Sequence, residues 1–223
     1  MVGFHITENN EIELMEYDAG TTLADLAAEL ESFRAAAPDL RTGECKGCGE
    51  CCSDDIPVLG LDLAVLPGIP DTDPGQAVGS ILILPDKPDM DFRRKAIREM
   101  CEWTNISELE ATLLFEYNNA EPLILARQAS GECCFLKDGL CTRYTMRPYS
   151  CGLYLCNMGP RLAYIQEMII RQGTWHAYSK LGWISKSDIP HNPFLKADSY
   201  DKLLVSDFEF DLKNTSEQLF FYF

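Results

Sequence analysis

Apolar and polar residues alternate at the start of the chain, with Phe4 and Ile6, then Ile12 and Leu14, on either side of Glu8-Asn9-Asn10-Glu11. A period of two around an Asn-rich turn predicts a β-hairpin. The period then changes: Leu23, Leu26, Ala27, Leu30, Phe33 and Ala37 recur at helical spacing from Thr22 onward, and Pro38 ends the pattern. Between Leu59 and Pro88 the chain is rich in Pro, Gly and Asp, interrupted by Ser80-Ile-Leu-Ile-Leu84, which predicts loops around one short buried strand. A helix follows from about Asp91 to Trp103. The next opens on a capping box, Ser107 with Glu110, presents Leu109, Leu113, Leu114 and Tyr117 inward, and stops at Asn118-Asn119. Pro122 to Ala126 reads as an edge strand. From Gly159 to about Trp183, the residues Leu162, Ile165, Met168, Ile169, Trp175, Tyr178 and Leu181 mark a long helix with a bend at Gly173. Beyond it Val205, Phe208, Phe210 and Leu212 alternate, and the terminal run Leu219-Phe-Phe-Tyr-Phe223 is expected to dock onto the parent fold.

These elements add up to an α+β fold, mostly helical, with small antiparallel β-hairpins around a cysteine-lined centre. A single domain over residues 1–223 is expected: hairpin and helix in 1–40, a cysteine core in about 44–156, and a helix with a tail in 157–223. At 46% hydrophobic and 24% charged residues the composition is that of an ordinary globular protein able to bury a core. No window reaches the length of a membrane span. The opening Met-Val-Gly-Phe-His-Ile-Thr has neither a basic start nor an apolar run of signal length, so a reducing, cytoplasmic location is predicted. The net charge of −16 argues against nucleic-acid and anionic-membrane partners. It permits a protein partner with a basic surface.

The chemistry is concentrated in ten cysteines, four of them within eight residues: Cys45, Cys48, Cys51 and Cys52. Two consecutive Cys-x-x-Cys steps let a short loop curl its sulfurs around one point, and Gly47 and Gly49 ease the tight turns. The cysteine density is below that of a small disulfide scaffold, so metal is the better reading. Adjacent residues direct their side chains apart, so Cys51 and Cys52 do not both serve one compact site. A second group runs from Cys133 to Cys156. Asp138-Gly139 signals a two-residue hairpin turn that sets Leu136 opposite Cys141 and Cys134 opposite Arg143, leaving Cys134 and Cys141 diagonal neighbours. Pro148 opens a short helix that presents Cys151 about one turn in, and Cys156 joins if the chain turns after Tyr154. The simplest scheme puts Cys45, Cys48, Cys51 and one distal cysteine on one centre. Cys52 then meets some of Cys134, Cys141, Cys151 and Cys156 around a second centre or a shared larger site, with metal binding coupled to folding. Cys-x-x-Cys-x-x-Cys plus a remote cysteine favours an iron-sulfur cluster of the 4Fe-4S type, with zinc as the alternative. Arg147 is either a donor to sulfur or an ion-paired surface residue. His5, His176 and His191 read as structural or exposed, Cys101 as a core cysteine, and Trp103, Trp175 and Trp183 as packing residues.

The run Cys45-x-x-Cys48-x-x-Cys51-Cys52, followed by Cys134-Phe-Leu and Cys141-x-x-Tyr144-x-x-Arg147-Pro148-x-x-Cys151, resembles the YkgJ-like cysteine-cluster family. That family is described as a zinc- or iron-chelating domain, and the likeness covers about Glu44 to Cys156. It implies metal binding by the two groups together; Cys101 and Cys133 fall outside its motif. A similar cluster occurs in the flagellin lysine N-methylase, which adds a lysine N-methyltransferase-related enzyme to the readings. The chain has no recognisable S-adenosylmethionine loop, Walker loop or nucleophile elbow to go with it. The expected roles are electron transfer, maturation or metal handling, against a structural zinc module that shapes an interaction surface.

Overall fold

A computed structural model describes residues 1–36, 51–66, 82–154 and 157–210. Among the described residues, five α-helices and small antiparallel sheets make an α+β fold. Strands β1 (Val2–Ile6) and β2 (Ile12–Tyr17) form the N-terminal hairpin, with Phe4 paired to Leu14 and Ile6 to Ile12. Its loop closes through Thr7 N–H to the Glu11 carbonyl (2.9 Å), with Asn10 left-handed at φ 64°. Asn tolerates that conformation better than most residues. Helix α1 (Leu23–Ala36) starts at a reciprocal cap: Asp25 N–H donates to Thr22 Oγ1 (3.1 Å) and Thr22 N–H to Asp25 Oδ2 (2.9 Å).

Two-residue strands β3 (Pro57–Val58) and β4 (Leu82–Ile83) flank β5 (Leu123–Leu125) in a three-stranded sheet of order β3-β5-β4. The segment read as an edge strand is therefore the central one. Pro122 lies just before the ladder and costs it no hydrogen bond, whereas Pro57 sits on a true edge, where a missing N–H is tolerated. Between β4 and β5 come α2 (Met90–Thr104), capped by Asp89, and α3 (Glu108–Asn119), opened by the Ser107–Glu110 box. Leu113 and Leu114 are buried as expected, but Leu109 faces solvent. Trp103, expected to pack, is 68% exposed.

Helix α5 (Pro160–Lys180) joins the two halves of the core. Its first half sends Leu162, Ile165, Met168 and Ile169 into a cluster with Ile12, Leu14, Leu26, Leu30, Phe194 and Phe208. Its second half sends Trp175 and Tyr178 into a cluster with Val58, Leu82, Met100 and Leu123. The helix runs uninterrupted through Gly173. That glycine serves close approach instead: a Cβ there would lie 3.0 Å from Leu59, and its carbonyl accepts from Gly60 N–H at 3.1 Å. Gly60 is tighter still, since a Cβ would meet His176 Nδ1 at 2.3 Å and the Ala177 backbone nitrogen at 2.9 Å. Gly60→Ala is expected to cost about 2 kcal/mol through overpacking against the helix backbone. Gly20→Ala, with nothing within 4 Å, should be close to neutral. Urea unfolding of the two variants checks this, and equal midpoints would refute it.

The C-terminal part is a series of single 3-10 turns rather than an alternating strand. Val205 and Phe208, three residues apart at the ends of one such turn, are both fully buried, and Val205 N–H bonds the Thr21 carbonyl at 3.0 Å. Leu212 and the run from Leu219 to Phe223 lie outside the described residues.

Candidate metal centre

The hairpin β6 (Leu136–Lys137) and β7 (Leu140–Cys141) has the expected register, Leu136 opposite Cys141. Asp138 (φ 51°) and Gly139 (φ 74°) are both left-handed, as a type I′ turn requires. Only two residue pairs belong to the ladder. Beyond Phe135 the chain curls, with Leu136 N–H donating to the Cys133 carbonyl at 2.9 Å. Extrapolating the register to Cys134 therefore fails.

The curl brings Cys133 inward. Cys52, Cys133, Cys141 and Cys151 line one cavity together with Ile56, Leu125, Phe135, Tyr144, Pro148 and two guanidinium groups, Arg143 and Arg147. Its volume is about 30 Å³. Cys134 is half-buried beside Cys133 but does not line the cavity; its N–H is held by the Ala126 carbonyl at 2.9 Å. Cys151 arrives on the short helix α4 (Tyr149–Leu153), which begins directly after Pro148. Cys45, Cys48 and Cys156 lie outside the described residues, and Cys51 is described by its backbone alone, in the 3-10 turn Cys51–Ser53. No histidine lines this cavity. His176 is buried against Phe194, its rings 5.6 Å apart, and burial lowers its pKa to about 4.

Hydrogen bonds join the early and late cysteine segments directly. Cys133 N–H donates to the Cys52 carbonyl at 2.7 Å, Ser150 Oγ donates to the Pro57 carbonyl at 2.5 Å, and the Tyr154 hydroxyl donates to Asp54. Arg147 lines the cavity and is ion-paired to Glu31 (3.5 Å) and stacked on Tyr144 (4.3 Å), the second of the two roles anticipated for it.

Burial raises the Cys133 thiol above its usual range and pushes Cys134 up to about 11, desolvation being the first cause at both and the neighbouring Cys133 sulfur adding to it at Cys134. Both are neutral thiols at pH 7, so a metal must displace their protons. The donor set suits a soft metal: sulfur ligands, apolar walls, and cations that offset thiolate charge. Among the described residues, no three Cys, His, Asp or Glu side chains gather closely enough to hold an ion by themselves. Cys101 lies half-buried on α2, among the partly buried residues packed against the second core cluster rather than in the cavity wall. Among the described residues, no helix is long and apolar enough to cross a membrane. No protein-family model, no curated protein and no solved structure matches this chain.

Proposed function

We propose that this protein binds a thiophilic metal on cysteines drawn from two remote stretches of the chain, with an iron-sulfur cluster as the favoured occupant and electron transfer, maturation or metal handling as its use. The observation that carries the reading is the shared cavity: Cys52 stands with Cys133, Cys141 and Cys151, about eighty to a hundred residues away in sequence. Loop closure over such a distance costs only slowly more with length, and the sheet and hydrogen bonds already meet that cost. Completing the shell takes ligands from the Cys45–Cys51 loop or Cys156, or a small inward shift of the cavity wall. The spacing of Cys45, Cys48 and Cys51 supports the cluster, and the likeness to the YkgJ-like family supports metal binding, iron or zinc. A structural zinc site is the second reading, favoured by the small volume of the cavity, which suits a single ion. The sheets among the described residues are antiparallel, which lends no support to a methyltransferase with a cofactor seated at a parallel-sheet switch point.

Protein purified without oxygen is expected to be brown and to contain iron and acid-labile sulfide in equal amounts. Cys133→Ser, Cys141→Ser and Cys151→Ser should each lose most of the metal, while Cys134→Ser keeps it. A colourless protein with tightly held zinc would replace the cluster by the second reading. A protein that takes up neither metal would end both.

A further inference from the structure

We infer that Arg127 is a positioning residue for the thiol site, fixing the two cysteine segments against each other before any metal arrives; this rests on the metal-binding reading above. Arg127 stands just after β5 and reaches both segments at once. Its Nη1 donates to the Ser53 carbonyl, the residue after Cys52, and also to the Gly131 carbonyl at 2.9 Å. Its Nη2 donates to Asp55 Oδ1 at 2.8 Å. The backbone of Arg127 forms an antiparallel bridge with Cys133. One planar guanidinium therefore bonds Ser53 and Asp55 on one side and Gly131 on the other, while the Arg127 backbone bridges to Cys133, whose N–H donates to the Cys52 carbonyl at 2.7 Å.

The geometry makes specific demands. Asp55 is 68% exposed, so its ion pair with Arg127 contributes little by itself. The bonds to the two carbonyls set the spacing, because they are charge-assisted and come from a rigid fork that a lysine ammonium lacks. An ordinary fold staple would affect thermal stability alone. A positioning residue also affects how well the thiols hold a metal.

The test is a titration of metal-free protein with Zn(II) against a chromogenic chelator, for wild type, R127Q, R127K and D55N. R127Q and R127K are expected to bind Zn(II) about 10- to 100-fold more weakly, the usual effect of losing a group that orients ligands, while D55N binds as the wild type does. In metal-free R127Q, hydrogen exchange at the Cys133 amide should quicken. R127Q and R127K that bind as tightly as wild type, with only a lower unfolding temperature, would overturn the inference. If R127Q does not fold, R127K decides alone. A wild type that takes up neither Zn(II) nor, on reconstitution with Fe(II) and sulfide, a cluster removes the metal reading and this inference with it, so the wild-type measurements tell the two failures apart.

Discussion

Glu116→Ala is expected to lower the unfolding free energy by about 3–5 kcal/mol, the usual loss when one member of a buried ion pair is removed. Glu116 and Arg93 are 2% and 5% exposed, and Arg93 Nη2 donates to Glu116 Oε1 at 2.6 Å. The other carboxylate oxygen accepts from Gln172 Nε2 at 3.2 Å, and the guanidinium lies over the Trp175 ring at 5.4 Å. Alanine at 116 would strand a positive charge between α2, α3 and α5, where solvent cannot reach it. Removing both charges is a different matter, since a well-packed apolar pair forgoes desolvation altogether. Arg93→Met with Glu116→Leu should therefore recover most of the loss. Guanidinium unfolding of the two single variants and the double variant gives the coupling directly. Additive losses would show that the pair does not act as a unit.

Elements whose signals are local were legible in the sequence. The capping box at Ser107, the Asp138-Gly139 turn and the Asn-rich turn each act within a few residues, and each sits where its chemistry places it. Elements defined by distant partners were not. β5 is central because β3 and β4 arrive on both sides; β4 falls in the strand expected within residues 80–84, but the two-residue β3 carries no period to announce it. Gly173 looked like a hinge because a glycine inside a helix costs stability; its reason lies in Gly60, more than a hundred residues earlier. The C-terminal apolar spacing contained a clue in the three-residue step from Val205 to Phe208, which suits a 3-10 turn better than a strand.

The candidate centre divides in the same way. Spacing, the hairpin turn and the helix start at Pro148 point to Cys52, Cys141 and Cys151, and the fold gathers these three around one cavity. The hairpin register carried beyond the ladder, and the family motif, both point to Cys134, whereas Cys133 lines the cavity. The chain leaves the ladder there, with Leu136 N–H turned back to the Cys133 carbonyl. One signal was available: in an extended strand, consecutive side chains face opposite ways, so any irregularity of one residue exchanges the roles of an adjacent pair.

Acidification is expected to expose a second buried carboxylate, Asp62, through a pH dependence opposite to that of ordinary surface carboxylates. Asp62 lies in the turn after β3, 2% exposed, accepting from Leu59 N–H (2.9 Å), Tyr149 N–H (3.1 Å) and Tyr200 Oη (2.7 Å). Those donors favour the charged form, yet desolvation outweighs them and raises the pKa to about 6. A group whose folded pKa exceeds its unfolded value of about 3.9 holds the proton more tightly in the native state. Its stabilising contribution is therefore complete below about pH 4 and lost as pH rises through about 6. A shift of about two pH units corresponds to about 3 kcal/mol. Glu110 and Asp198, whose pKa values are lowered by hydrogen bonds from Ser107 and Lys202, oppose this trend, so the wild-type profile alone does not isolate Asp62. The difference between wild type and Asp62→Asn does, because Glu110 and Asp198 are present in both. Measured by urea unfolding from pH 3.5 to 7.5, that difference should move by about 3 kcal/mol in favour of the asparagine variant, mostly between pH 4 and 6. A constant difference would mean that the carboxyl titrates normally despite its burial, and that the three donors balance the cost of removing it from water.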